Sequence, residues 1–262
     1  MNIVVVNVNI SESMTAIIDE SARRYASAGT DIVTLRPHFG AEAVDCNFES
    51  YLSAVAVMDR VVTYGEPYDA IVIAGFGEHG RDGIQELIEQ PVFEICEASA
   101  HVAMLVGRAY SVVTTLQRSV PSIEDRLRLA GLWERCASVR AGGMSTLEVD
   151  EDPEGSIHAI VEEARKAVEL DKAEVICLGC AGMAGLEEAI TEALGVPVID
   201  GIGAGVRLAE AVVGLDLKTS KISTYAFPDP KRIIAWPLSL ALGLSGQSTG
   251  AGTHAASEPL PG

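Results

Sequence analysis

Two stretches of the chain follow one plan, and that repetition narrows the possible folds more than any other feature. Residues 69–95 read DAIVIAGFGEHGRDGIQELIEQPVFEI, and residues 173–200 read AEVICLGCAGMAGLEEAITEALGVPVID. Each is an apolar strand, a glycine-rich turn, an amphipathic helix and a Pro-Val pair opening the next strand. Ile84, Leu87 and Ile88 make the inward face of the first helix; Leu186, Ala189, Ile190 and Leu194 make that of the second. Laying Ile73-Ala74-Gly75-Phe76-Gly77 over Leu178-Gly179-Cys180-Ala181-Gly182 keeps the register and brings Pro91 onto Pro197. A duplicated unit of this kind places its two copies across a cleft, with the turns after the strands lining it. Gly75 and Cys180 are therefore expected on opposite walls.

Apolar strands also read at 2–6, 31–35, 70–74, 110–114, 174–178 and 196–199, with helical segments between them. After Ser11, the residues Met14, Ile17, Ile18, Ala22 and Tyr25 share one helical face. Short buried strands alternating with such helices predict an α/β fold: two pseudo-symmetric, doubly wound parallel-sheet domains with the active site in the cleft between them. The expected division is 1–97 plus 206–244 for the first domain and 98–205 for the second. Residues 245–262, SGQSTGAGTHAASEPLPG from Ser245, offer almost nothing to bury and read as a disordered tail.

The formal net charge of -18 repels nucleic-acid phosphates and anionic membranes, so neither is expected as a partner. Apolar runs such as Ala70 to Ala74 fall far short of the ~20 residues that span a bilayer. The opening MNIVVVNVNIS has no basic region and reads as a strand, giving the expectation of a cytoplasmic protein. Gly201, Gly203 and Gly205 suggest a dinucleotide loop, but the fingerprint's third glycine falls at Val206. The five histidines show no metal spacing, and no metal or other cofactor is expected.

Cys177 and Cys180 form a C-x-x-C, but Cys177 lies inside the strand VICL and points to the core. Cys180 comes at the strand end, where the N–H groups of a following helix would face it. Such donors bind carboxylate or enolate oxygens and lower a thiol from its ordinary ~8.5. A thiol there can exchange a proton near neutral pH, and a second base on the other wall would allow two-base racemisation. A buried structural cysteine fits the position equally well.

These residues resemble the hydantoin and allantoin racemases of the Asp/Glu racemase superfamily, from about residue 2 to about 225. Asn7-Val8-Asn9-Ile10-Ser11 is similar to that family's N-P-N-x-S opening, and Gly40 to Glu49 to its G-P-x-S-I-E-x-x-Y-D run. Val112 to Leu116 carries its threonine pair, and Leu178 to Met183 is its L-G-C-A-G-M motif intact. Val196 to Asp200 and Thr219-Ser220-Lys221 match later signatures. The resemblance implies cofactor-independent proton transfer on a small-molecule substrate and a homo-oligomer. It also implies ligand contacts from Asn9, Phe76, Thr114, Thr115 and the turn Cys180-Ala181-Gly182.

One motif departs. Where the family has A-C-F-G-D-P-G, this chain has Ala74-Gly75-Phe76-Gly77-Glu78-His79-Gly80. Glycine transfers no proton. His79 can stand in for the missing base, although a surface-turn histidine suits the position as well. Alternatively the reaction needs one donor only, as in the arylmalonate decarboxylases, which this arrangement of one glycine and one cysteine resembles. A third reading is an engineered glycine made to trap a ligand, but a single-site edit would have left the family's Asp-Pro where Glu78-His79 stands. The expected activity is racemase-type isomerisation at the acidic carbon of a cyclic ureide such as a 5-substituted hydantoin, with Cys180 carrying the proton. A decarboxylase and a non-catalytic binder remain the alternatives. Gly75→Cys is expected to raise racemisation if the emptied wall is the sole defect.

Overall fold

Each apolar run is bounded by turn residues and too short for a helix, so it enters a sheet. β1 (Asn2–Asn7), β2 (Asp31–Leu35), β3 (Ala70–Ala74) and β4 (Val92–Glu94) form a parallel sheet in the order β2-β1-β3-β4. β5 (Tyr110–Thr114), β6 (Cys136–Ala141), β7 (Val175–Leu178) and β8 (Val198–Ile199) form a second, β6-β5-β7-β8. The central strands β3, β5 and β7 are buried along their whole length, as parallel strands covered on both faces must be. This computed structural model describes residues 1–151 and 153–233, with Met1–Pro228 as one compact unit; the tail expected at 245–262 lies outside the described residues.

The duplication extends to single hydrogen bonds. Ile71 N donates to Pro91 O and Ile176 N to Pro197 O, both at 3.0 Å. The Asp69 carboxylate accepts from Asn2 N and the Glu174 carboxylate from Arg108 N, both at 2.7 Å. Two strands escaped the sequence pattern. β6, CASVRA, is an edge strand with no fully buried residue, so it shows no apolar run. β4 is three residues long, and the Pro91-Val92 pair marked only its start.

α1 (Glu12–Tyr25) begins where Ser11 Oγ accepts from Met14 N at 3.2 Å. It buries Met14, Ile18 and Ala22 as the periodicity predicts, with Ile17 and Tyr25 half-buried. Two later helices cross between the halves. α4 (Ile95–Val106) follows the first sheet but packs Cys96, Ala100 and Ala103 against Tyr110, Val112 and Cys177 of the second. α9 (Gly201–Gly214) follows the second sheet and packs Ile202, Val206 and Ala209 against Val5 and Val72 of the first. Equivalent acids cap both: Glu94 accepts from Cys96 N, and Asp200 accepts from Ile202 N at 2.8 Å. The glycines at 201, 203 and 205 are packing devices. A Cβ there would come within 3.0 Å of Ile95, 2.5 Å of Tyr25 and 2.7 Å of Val72. Among the described residues no helix is long and apolar enough to cross a membrane.

Candidate active site

The carboxyl ends of β1, β3, β5 and β7 converge on a cavity of about 60 Å³ between the two sheets. Gly75 and Cys180 both line it, one from each half. So do His79, Asn9, Phe76, Thr114, Thr115 and Ala181. Gly182 does not; it lines a separate pocket beside Ile17 and Ser21. A Cβ on Gly182 would lie 2.8 Å from Met14 Cε and 3.7 Å from the Cys180 sulfur, so only glycine fits beneath Met14 there. What Gly182 offers the site is its backbone N–H, aimed at the Cys180 sulfur.

Cys180 owes its place to Gly179. A Cβ at 179 would sit 2.9 Å from both Thr114 Cβ and Val112 Cγ1, so only glycine lets β7 run this close to β5. Gly179 N donates to Val113 O at 2.8 Å, and Thr114 Oγ1 donates to Gly179 O at 3.0 Å. The helical donors expected beyond Cys180 are reduced to one tight turn, Ala181–Met183, and α8 (Glu187–Leu194) starts only later. Burial pushes the Cys180 thiol up from its ordinary value, against the N–H groups of Gly182 and Met183 and the Thr146 hydroxyl; the Asp45 charge pushes it further. The lowered thiol expected from a helix N-terminus is thus corrected. Desolvation among the residues lining the cavity outweighs a single turn of donors.

The opposite wall is refilled rather than empty. A Cβ on Gly75 would lie 2.5 Å from His79 Cδ2 and 2.5 Å from Val8 Cγ1. Three of the positions that depart from the family motifs, Val8, Gly75 and His79, therefore pack on one another. His79 is buried at 7% exposure and is not a surface residue. Burial, and secondarily the Arg126 charge, hold its imidazole down at about 4, so it is neutral at pH 7. Ser50 Oγ donates to Glu78 O at 3.1 Å and lies 3.3 Å from His79 Nδ1. That network assigns the proton to Nδ1 and leaves the Nε2 lone pair open.

Groups that the sequence reading passed over hold this wall. Glu94 is 1% exposed and its carboxylate accepts from Gly77 N (3.1 Å), Cys96 N (2.5 Å) and Glu97 N (3.2 Å). Burial pushes Glu94 up to about 8 in spite of those donors and of Arg126. Arg126, 6% exposed, pairs with Glu97, with Glu78 at 3.2 Å and with Asp82 at 3.5 Å. The one sequence hint was that Glu94 stands in the repeat where Asp200 does.

The polar rim divides by use. Asn9 Oδ1 accepts from Asn7 Nδ2 (2.9 Å) and Ser11 N (3.0 Å), which turns its amide nitrogen toward the cavity, where its partner is the weakly accepting Met14 sulfur at 3.4 Å. The Thr114 proton is spent on Gly179 O, so Thr114 braces the strand end rather than offering a donor. Thr115 is 4% exposed, and its hydroxyl has no partner among the described residues. Among the described residues no three His, Cys, Asp or Glu side chains are grouped to hold a metal.

The family model described as Asp/Glu/hydantoin racemase matches residues 3–209. This chain belongs to the Asp/Glu/hydantoin racemase family. It is 38% identical to a hydantoin racemase from a Pseudomonas species over 89% of this chain and 94% of that protein. A hydantoin racemase from Rhizobium meliloti is 39% identical, over 87% and 95%. Among solved structures, an allantoin racemase from Pseudomonas fluorescens is 61% identical, with TM-score 0.88 over 90% of this chain and all of that one. An arylmalonate decarboxylase shares the fold alone, at 16% identity and TM-score 0.55 over 86% and 97%. The match to the family model thus spans both sheets and the turn on which Cys180 sits.

Proposed function

We propose that the chain is a cofactor-free racemase acting on the acidic ring carbon of a five-membered cyclic ureide such as a 5-substituted hydantoin. Cys180 and His79 are its two proton carriers. The observation that carries this reading is that Cys180 and His79 line one cavity from the two halves of the chain, the thiol shifted up and the imidazole down. Two-base racemisation requires one group with a proton and one without. A neutral His79 facing a Cys180 thiol meets that count near pH 7 with no thiolate in the resting state. Taking the substrate proton onto Nε2 while the thiol delivers one to the other face leaves imidazolium and thiolate. That state is the one needed for the opposite enantiomer.

The proton beside the ring carbonyl is acidified by enolate formation, and the Asn9 amide and Thr115 hydroxyl are the donors for that oxygen. A neutral ureide also suits a chain of charge -18, which neither attracts nor repels it. The relatives named for hydantoin and allantoin, both cyclic ureides, support the substrate class. The family resemblance extends the proposal to a homo-oligomer, which light scattering reads.

The test is a chiral hydantoin in deuterated water. Racemisation with deuterium uptake is expected, with Cys180→Ser slowing both by about 10²–10⁴-fold. His79→Gln is expected to lose racemisation while keeping slow one-faced exchange. Complete absence of exchange, or a His79→Gln protein that racemises normally, overturns the two-base assignment. Carbon dioxide released from a disubstituted malonate would mark Cys180 as a sole donor.

A further inference from the structure

The reaction cavity, at about 60 Å³, has room for a few water molecules. Sites for small organic ligands usually offer about 300–1,000 Å³. A five-membered ring therefore fills this one, and a substituent on its acidic carbon has to lie elsewhere. A second cavity of about 510 Å³ adjoins it. Val44, Phe76, His79 and Ser119 line both, so the two spaces meet along the wall that carries His79. Farther out, α2 (Asn47–Val62) supplies Asn47, Ser50 and Ala54, and α5 (Val120–Leu129) supplies Pro121, Ser122 and Leu129. Like the reaction cavity, this space is lined from both halves of the chain.

Its charges sort the groups that can enter. Four carboxylates line it, Asp45, Glu78, Asp82 and Asp125, against the two guanidinium groups of Arg118 and Arg126. Arg126 is already spent on Glu78, Asp82 and Glu97. The Arg118 side chain has no hydrogen bond or ion pair among the described residues. An anionic substituent meets more negative charge than positive here, in a chain whose whole field opposes it. An apolar one strips water from charged groups and returns no hydrogen bond. An amide or urea group brings N–H donors for the carboxylates and a carbonyl for Arg118, with no charge of its own. We infer that the second cavity is the subsite for the ring substituent, and that it selects an uncharged hydrogen-bonding group of the amide or urea class. The inference rests on the racemase reading for the position of the ring.

The experiment compares three hydantoins of matched shape on the full chain: 5-(2-carbamoylethyl), 5-(2-carboxyethyl) and 5-(3-methylbutyl). The amide is expected to exceed the other two in kcat/KM by about 10–100-fold, the effect of one or two buried polar groups left unpaired, and mainly through KM. Arg118→Met narrows the amide's advantage over the apolar isostere. Ser122 is exposed on α5, so Ser122→Trp narrows the second cavity without entering the core. Its loss in kcat/KM is expected to grow with substituent size, from 5-methylhydantoin to the amide. Equal kcat/KM for the three side chains, or a Ser122→Trp loss as large for 5-methylhydantoin as for the amide, overturns the inference and leaves the racemase reading standing. If none of the hydantoins is racemised, the racemase reading fails by itself. Thermal stabilisation by the same compounds then reads the subsite: an amide that raises Tm most, and no longer does so in Ser122→Trp, supports it, and equal shifts overturn it.

Discussion

The His79 ring carbon Cδ2 lies 2.5 Å from the point that a Cβ on Gly75 would occupy. The imidazole and the missing side chain are alternatives for the same space, and Val8 Cγ1 crowds that space equally. Restoring a side chain at 75 therefore means displacing a buried ring.

Gly75→Cys alone is accordingly expected to lose stability and gain no racemisation, which reverses the expectation drawn from the sequence. Overpacking of this kind costs about 1–3 kcal/mol. Gly75→Cys combined with His79→Ala is expected to recover the lost Tm and to racemise through two thiols. Thermal denaturation and deuterium exchange on the three proteins check this; a fully stable, more active single variant would contradict it.

His79 also gives acid sensitivity a sign. Its folded value, about 4, lies below the ordinary 6.5, so the folded chain refuses a proton that the unfolded chain accepts. Stability is unaffected by this group above pH 6.5 and falls as pH drops from there toward 4. At pH 5 the loss is roughly 2 kcal/mol. His79→Gln is expected to remove this component, so its Tm declines less than wild type between pH 7 and 5. Parallel declines would show that His79 is not held neutral.

Glu94 anchors the wall that carries His79. Glu94→Ala orphans Gly77 N and the cap of α4 and leaves Arg126 one carboxylate fewer. A loss of about 2–4 kcal/mol in urea denaturation is expected. Glu94→Gln, which keeps one acceptor oxygen, is expected to lose less. Both should lower kcat, because the loop from Gly75 to Gly80 loosens.

The adjacent threonines separate structure from catalysis. Thr114→Val removes the donor to Gly179 O and is expected to cost about 1 kcal/mol of stability. Thr115→Val breaks no protein hydrogen bond among the described residues and is expected to leave Tm nearly unchanged while kcat falls. Thermal melts paired with racemisation rates distinguish them; equal stability losses would place Thr115 in the framework.

Local pattern alone was enough to determine the repeated strand–turn–helix units, the α1 face and the opposition of Gly75 and Cys180, because strand burial and helix periodicity are written in nearest-neighbour order. The same pattern passed over β6, whose half-buried edge residues carry no apolar run. It could not show that Met14 from α1 closes over Gly182 and leaves no room for a side chain there. Nor could it show that Val8, Gly75 and His79 share one space, or that Asp45 and Thr146, 101 residues apart, share a hydrogen bond. The shifts in proton affinity belong to the tertiary structure. A histidine and a cysteine in a sequence carry their ordinary affinities for a proton. The burial around them, with the charge of Arg126 beside His79, moves both further from their ordinary values, the imidazole down and the thiol up.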